Sequence, residues 1–559
     1  MHIHDETRPF EPADHTTALG QRTQNGAARA AALQVLREQI PATTSVIEYT
    51  SHGRLVIIGP AAQAMPVAQQ IQDRLAAIAI VDPQASGQTA TFDDRIPLLQ
   101  AEVDRVDGHL GAFEVHLRDR GTQTLSLLSI LGRSWGGIDM VLDLLPTPIF
   151  DAEISPPGYF ATRADTGKLE SFVETIPDLI GEFEKPRYFH YDPSICVHAR
   201  NQQTACTRCI DACPTLAIHS IGEQVQVDPY LCQGGGSCTA VCPSGAMQYV
   251  YPALADLLGR IREVLKSYRN AHGQDARIIF TTTEHSEAVY TQLLGLEENL
   301  LPITLDELGV LDLAILFNTL AYGAQQIIVL LDDDMPARVR ETLQQQQTLV
   351  NRFLTGLGYS NRRIVFTRLA ALGNLPIVPD APLPAASYGS FSDKRTMIRL
   401  ALEHLHKHAL IQTMMLPLFA QAPFGEISVD PQTCTLCLAC TGVCPTHALL
   451  AGNESPQLNF IEDHCVQCGL CEQTCPENAI RRHPRYLFDE DRRRSRRLLY
   501  AEAPFHCITC GKPFATQRVI ERMQEKLAGH WMFGNERAMR RLKMCEDCRI
   551  KDLWDEQGG

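Results

Sequence analysis

Hydrophobic and polar positions change period several times along this chain, and each change marks an element. Residues 1–50 are polar and alanine-rich, with helical spacing over 27–39. The run Arg54-Leu-Val-Ile-Ile58 is then apolar without alternation, the pattern of a strand covered on both faces. Gly59-Pro60 interrupts it, 64–75 has helical spacing, and Ala77-Ile-Ala-Ile-Val81 reads as a second buried strand ending at Asp82. Strand, helix and strand predict a βαβ unit. Residues 102–117 alternate with period two, which predicts a hairpin turning at Asp107-Gly108. This N-terminal βαβ-containing unit is expected to span 51–150, with Pro156-Pro157-Gly158 as the linker that leaves it.

A longer regular pattern follows. A helix is expected over 253–267, strands at 277–280, 300–305, 326–331 and 363–366, and a helix over 336–356 that ends at a glycine. Alternation of this kind over 273–372 predicts a parallel α/β domain with helices on both faces. A connector at 373–423 is rich in proline (Pro376, Pro379, Pro382, Pro384) and carries a helix from Ser392 to about Ala409. The chain has 559 residues, more than one hydrophobic core organises, so a multidomain α/β and α+β protein is expected.

Charge narrows the partners. A net charge of −15 speaks against nucleic acid and gives no support for an anionic membrane surface. Apolar runs such as Ile327–Leu331 are far shorter than a membrane span, and Met1-His-Ile-His-Asp-Glu lacks the features of a secretory signal. Arg8, Arg22 and Arg29 are isolated, so there is no twin-arginine motif, and a cytoplasmic location is the expectation.

Cysteine changes the picture most. There are 19, none before Cys196 or between Cys242 and Cys434, and they cluster with metal-ligand spacings. In 424–482, Cys434, Cys437, Cys440 and Cys444 precede Pro445, while Cys465, Cys468, Cys471 and Cys475 precede Pro476. Both runs are C-x2-C-x2-C-x3-C-P, the double signature of two [4Fe–4S] clusters, in which each fourth cysteine serves the other cube. One cluster is expected on Cys434, Cys437, Cys440 and Cys475, the other on Cys465, Cys468, Cys471 and Cys444. Ala439, Gly442 and Gly469 leave room for backbone N–H groups beside sulfur. Zinc or inert thiols are the rival reading, against which the double register speaks.

Residues 188–250 carry an altered copy. Its first run is Cys196, Cys206, Cys209 and Cys213-Pro214, with Cys196 displaced by an enlarged loop and Gln203 at the place of the first ligand. Cys242 would complete this cluster, with His198 as a weaker substitute ligand. The second run keeps Cys232, Cys238 and Cys242-Pro243 but has Gly235 where the second cysteine belongs. Cys213, Cys232 and Cys238 then leave one corner without a thiolate. The site would hold a [3Fe–4S] cluster, or a [4Fe–4S] cluster whose last iron is bound by solvent, Ser237 or a partner's ligand.

Cys507, Cys510, Cys545 and Cys548 form two CxxC knuckles in 505–559. A zinc-ribbon-like tail with structural Zn2+ is expected, a rubredoxin-like iron site being the alternative. Weaker signals are read as structural. Gly59-Pro-Ala-Ala is not a dinucleotide fingerprint despite Asp82, His404, His406 and His408 suit a solvated helix end, and Arg492–Arg497 suits a solvated face or an acidic partner.

The strand-like lead-ins before Cys232, Cys434 and Cys465, and the short returns after each Cys-Pro, resemble the bacterial dicluster ferredoxin fold, present twice. Leu320-Ala-Tyr-Gly-Ala-Gln-Gln-Ile-Ile-Val-Leu and Gly356-Leu-Gly-Tyr-Ser-Asn-Arg-Arg-Ile resemble the delta subunit of methyl-viologen-reducing hydrogenases. That family's [2Fe–2S] cysteines are missing from the stretch, so the cofactor is not carried over. Val106-Asp-Gly-His-Leu-Gly-Ala-Phe-Glu-Val resembles the flavoprotein component of heterodisulfide reductase, without its glycine fingerprint. As a whole the chain is similar to ferredoxin-like proteins associated with bacterial formate dehydrogenases. The resemblance implies an electron relay between redox proteins, with a formate dehydrogenase as a partner. An accessory or assembly factor with structural or sensory clusters, and an oxidoreductase acting at the three-cysteine cluster, are the alternatives.

Overall fold

The computed structural model describes residues 23–38, 44–83, 91–92, 96–118, 124–163, 166–452 and 455–556. In the N-terminal unit a six-stranded sheet runs in the order Tyr159–Ala161, Met140–Asp143, Arg54–Ile58, Ala77–Asp82, Pro97–Gln100, Thr91–Phe92. All neighbours are parallel except the last pair. Leu55 through Ile58 are fully buried because both faces are covered. Leu55 and Ile57 pack with the helix Ala61–Ile71, whereas Val56 and Ile58 pack with Val106, Phe113, Val115 and Leu117.

The hairpin, Val103–His109 with Ala112–Arg118, turns at Leu110-Gly111 and not at Asp107-Gly108. Asp107 faces Glu114 within the ladder. Gly111 sits at φ +84°, and a Cβ there would lie 2.0 Å from the carbonyl oxygen of Thr50. Close backbone approach therefore decides the turn, over the Asp-Gly cue.

The unit also runs past Phe150. Pro156-Pro157-Gly158 is a turn inside it, and Tyr159–Ala161 joins the sheet. Asp143 fixes that edge, its carboxylate accepting hydrogen bonds from the N–H groups of Leu145 (2.9 Å) and Ile149 (2.8 Å) and from the Tyr159 hydroxyl (2.5 Å). Val46–Ser51 pairs with Gly181–Pro186. The first helix, Gln24–Glu38, packs elsewhere: Ala28, Ala32 and Leu33 share a core with Leu258, Ile261 and Leu265 of the helix Leu254–Asn270.

In the second α/β region four parallel strands run in the order Leu300–Leu305, Arg277–Thr282, Gln326–Leu330, Ile364–Thr367. The connector is tied to this sheet by Arg363, fully buried, which donates to Asp380 (3.1 Å) and to the carbonyls of Gln325 (3.2 Å) and Ala381 (2.9 Å). The helix Lys394–Lys407 is capped by Asp393, whose carboxylate accepts the Thr396 N–H at 2.6 Å. His404 and His406 hydrogen-bond the carbonyls of Pro384 (2.7 Å) and Thr413 (2.9 Å), which makes them packing groups. Among the described residues no helix is long and apolar enough to cross a membrane.

The arginine run is not a solvated face throughout. Arg493 is buried, pairs with Asp463 and Glu403 at 2.8 Å each, and lies over the Tyr486 ring. Arg497 pairs with Glu426 at 2.9 Å. Arg493→Met would leave buried Asp463 to Arg399 alone, at 2.9 Å. The expected loss is about 3 kcal/mol, read from the denaturant midpoint; no change would show that the pair contributes nothing net.

Candidate metal centres

Local geometry in 424–482 brings the thiols together across the two runs. Gly425–Val429 pairs with Ile480–Leu487, and Leu449–Ala451 with Gln457–Phe460, so the cysteine loops face each other between two ladders. Cys434, Cys437, Cys440 and Cys475 line one cavity, and Cys444, Cys465, Cys468 and Cys471 another. The fourth cysteine of each run thus lies with the other run.

Left-handed residues build these loops. Leu436 (φ +56°) and Leu438 (φ +59°) bracket Cys437, and Gln467 (+55°) and Gly469 (+95°) bracket Cys468. Backbone N–H groups consequently point inward: Leu436 N–H donates to Cys434 Sγ at 3.5 Å, and Ala479 N–H to Cys475 Sγ at 3.3 Å. The third residue after the last cysteine of every run is also left-handed: Leu216, Gly245, His447 and Asn478. Sequence reasoning missed this fourfold repeat, because leucine and histidine do not advertise a positive φ as glycine and asparagine do.

Burial, then the neighbouring sulfurs, push Cys440 up to about 12, and the same causes hold Cys471 well above the usual thiol range. Burial pushes Cys465 to about 12 despite hydrogen bonds from Gln467. Thiolates crowded in this way are stable together only around a cationic centre, and soft sulfur donors suit iron–sulfur clusters.

The altered copy gathers its thiols too. Burial and then Cys242 and Cys196 disfavour ionised Cys206, pushed to about 11, and Cys209 feels Cys242, Cys206 and Cys196. Displaced Cys196 therefore still lies with its set. The enlarged loop is a small hairpin, Ala199–Arg200 against Gln203–Thr204, turning at Asn201 and Gln202. His198 is buried, with Nδ1 2.7 Å from the Cys206 carbonyl and Nε2 2.8 Å from Ser220 Oγ. Both ring nitrogens are engaged, so His198 braces the loop rather than offering a ligand.

Cys213, Cys232 and Cys238 line a cavity with Gly235. Gly234 (φ +81°) and Gly236 (φ +74°) bracket Gly235 as Leu436 and Leu438 bracket Cys437. A Cβ at Gly235 would meet only Pro214 Cγ, at 3.7 Å, so this position has room for a side chain. Ser237, 1% exposed, also lines the cavity, and its Oγ has no hydrogen-bond partner among the described residues. The loop rests on the α/β turn Leu308–Val310, where a Cβ at Gly309 would lie 2.0 Å from the Gly235 carbonyl oxygen.

Tyr188 and Gln233 of this cavity also line a larger one of about 430 Å³. It opens past the carboxyl ends of the parallel strands, where α/β sheets present ligand sites. Its acidic wall contains Glu284, Asp306, Glu307 and Asp332, with His285 Nδ1 3.2 Å from Asp332. Burial, and then Asp306, Asp332 and Glu284, push Glu307 up to about 7.

In the tail the four sulfurs of Cys507, Cys510, Cys545 and Cys548 lie within 4.8 Å of one another. A zinc tetrathiolate has sulfur–sulfur edges of about 3.8 Å, which this set fits without refolding. Burial opposes ionisation of Cys507, but the N–H groups of Cys545, Cys510 and Thr509 outweigh it and hold the thiol at about 6. The tail packs on the Cys434 loop: Thr516 donates to the Thr435 carbonyl (3.0 Å), and Arg522 pairs with Glu477 at 3.3 Å.

The family described as "4Fe-4S dicluster domain" matches residues 426–476. The chain contains a dicluster ferredoxin-type domain. A protein of Rhodospirillum rubrum named "Iron-sulfur protein" is 34% identical over 86 residues, covering 14% of this chain and 44% of that protein. The chain thus spans less than half the length of the curated relative it matches. In the N-terminal unit, Asp82 accepts the Ala61 N–H at 3.0 Å, so a carboxylate of the chain itself occupies the helix start that a dinucleotide phosphate would need.

Glu307 yields a pH test. Its ordinary value is 4.5 and its folded value about 7, so between these the folded chain keeps a proton the unfolded chain releases. The associated stability is complete below the lower value and is lost as pH rises through the upper. Glu307→Gln is expected to flatten the pH dependence of the unfolding midpoint over that window; an unchanged slope would contradict the assignment.

Proposed function

We propose that this chain is an iron–sulfur electron-transfer protein that relays electrons between redox enzymes. The observation that carries the reading is the exchange of fourth cysteines between the runs at 434–475. Cys434, Cys437, Cys440 and Cys475 would hold one [4Fe–4S] cluster, and Cys444, Cys465, Cys468 and Cys471 a second. Cys196, Cys206, Cys209 and Cys242 would hold a third. Cys213, Cys232 and Cys238 would hold a [3Fe–4S] cluster or a three-cysteine [4Fe–4S] cluster, and Cys507, Cys510, Cys545 and Cys548 a structural Zn2+. Bound clusters supply one-electron transfer. The chain's own part is to exclude water, aim N–H groups at sulfur and fix the spacing.

The domain reading follows the same division: two dicluster modules at 188–250 and 424–482 around a hydrogenase-delta-like α/β domain. A formate dehydrogenase is the partner favoured by the whole-chain resemblance. Metal and sulfide analysis of anaerobic protein, with EPR, tests the relay. Three four-iron clusters, one odd cluster and reversible reduction by a low-potential donor are expected. If the cysteines at 434–475 bound no iron, the reading would fail; clusters that could not be reduced would favour a structural or sensory accessory role.

The acidic cavity favours a second reading, an oxidoreductase acting at the corner beside Gly235. Gly235→Cys separates the two. In a relay this change gives the odd cluster the spectrum of an ordinary cube and shifts its potential, leaving the other three signals alone. In the enzyme it closes the corner and abolishes turnover.

A further inference from the structure

One buried side chain contacts both modules. Arg395, 9% exposed, lies in the first turn of the helix Lys394–Lys407 with its guanidinium over the Phe424 ring at 5.1 Å. Its Nη1 donates to the carbonyls of Pro243 and Pro423, both at 3.1 Å. Its Nη2 donates to the carbonyls of Cys465 (3.1 Å) and Asp463 (3.2 Å). Pro243 directly follows Cys242, so one planar fork connects the turn at Cys242 with the cysteine Cys465 of the other module. Lys394 reinforces the near side, donating to the carbonyls of Thr239 (2.7 Å), Ala240 (2.9 Å) and Cys242 (3.3 Å). A second contact is independent of the helix. Thr474 donates to Gln203 Oε1 at 3.0 Å, and Gln203 lies on the inserted hairpin between Cys196 and Cys206.

Cys242 belongs to the set Cys196, Cys206, Cys209 and Cys242, and Cys465 to the set Cys444, Cys465, Cys468 and Cys471, so Arg395 picks out these two sets for the inter-module step. Thr474 lies between Cys471 and Cys475 and joins the modules without distinguishing their sets. Within each module the partner sets are already packed together: Cys209 and Cys242 share one apolar cluster with Cys213, Cys232 and Cys238, and Cys434, Cys440 and Cys475 share another with Cys444, Cys465 and Cys471. We propose that the four clusters form a single ordered path, running from the three-thiolate site at Gly235 to the site of Cys437, with Arg395 as the positioning residue at the inter-module step. The inference rests on the relay reading and adds the order of the clusters and the residue that joins the halves.

Arg395 has two separable effects. Its buried positive charge, beside the turn at Cys242 and the carbonyl of Cys465, would stabilise the reduced, more negative states of clusters held there and raise both potentials. Its fork geometry fixes the gap, since its two terminal nitrogens hold four carbonyl groups in set directions where one ammonium holds a point. The path also has unlike ends. One abuts the 430 Å³ cavity, and at the other Cys437 is exposed.

The test uses the full-length protein, prepared anaerobically, with Arg395→Met, Arg395→Lys and, as an independent probe, Gln203→Leu. EPR-monitored titration reads the potentials, and flash photoreduction reads re-equilibration between modules. Arg395→Met is expected to lower the potentials of the two facing clusters together, leave the outer two in place, and slow the inter-module step about tenfold. Arg395→Lys should restore the potentials but only part of the rate. A merely structural arginine would give no such split. If Arg395→Met keeps its iron and sulfide and leaves the facing potentials and the rate at their wild-type values, the path is wrong. If that variant loses iron, Gln203→Leu decides: a slower inter-module step supports the path and an unchanged rate overturns it. Wild-type protein without iron would instead sink the relay reading itself.

Discussion

Keeping several thiols buried close together is the constraint on which the rest of this structure depends. Cys440, Cys465 and Cys471 are sheltered from water beside other sulfurs, so burial and then those neighbours oppose their ionisation. A fold that gathers sulfur in this way is at odds with itself until a cationic centre is bound, and it must be held from outside. The outer holding is visible around residues 424–500. Arg485 pairs with Glu426 (2.6 Å) and Glu462 (2.7 Å), Arg493 with Asp463, and Arg497 with Glu426. Charged side chains thus tie the ladders together, while peptide N–H groups and the Gln467 side-chain amide approach the sulfurs.

The altered copy shows what the same turn tolerates. Its backbone repeats the left-handed positions on both sides of the second ligand, yet the residue there is Gly235. Space does not explain the glycine, because a Cβ would fit at ordinary contact distance. Gly234 and Gly236 are different: both have positive φ, and a Cβ on Gly236 would lie 2.4 Å from Val310. Packing against Val310 of the α/β domain accounts for Gly236 and the Tyr188 ring, 2.8 Å from a Cβ at Gly234, for the other flank, so the absent thiolate is a separate feature of this site.

Much of this arrangement was legible in the sequence, for definite reasons. Uninterrupted apolar runs such as Arg54–Ile58 and Arg277–Phe280 announce strands covered on both sides, and parallel sheets are what the fold builds from them. Cysteine spacing was the readable chemistry, and cavities lined by Cys213, Cys232 and Cys238, by Cys434, Cys437, Cys440 and Cys475, and by Cys444, Cys465, Cys468 and Cys471 lie in those blocks. Tertiary contacts accounted for the misses. Gly111 turns the hairpin because Thr50 passes close by, a fact about another strand. Tyr159–Ala161 is too short to show a period, and its place depends on Asp143. Arg493 looked like a surface charge because its partners, Asp463 and Glu403, are distant in sequence.

The enlarged loop joins these threads. As sequence, the spacing between Cys196 and Cys206 was a departure from a pattern, to be explained by tolerance. In the fold it is a hairpin whose base His198 locks to Cys206 and Ser220, and whose strand carries Gln203 to Thr474. The residue standing where a ligand would have been is spent on contact with the other module. An insertion that keeps four thiols together while reaching across an interface serves two constraints at once. That is why the displaced cysteine and the docking contact belong to the same short segment.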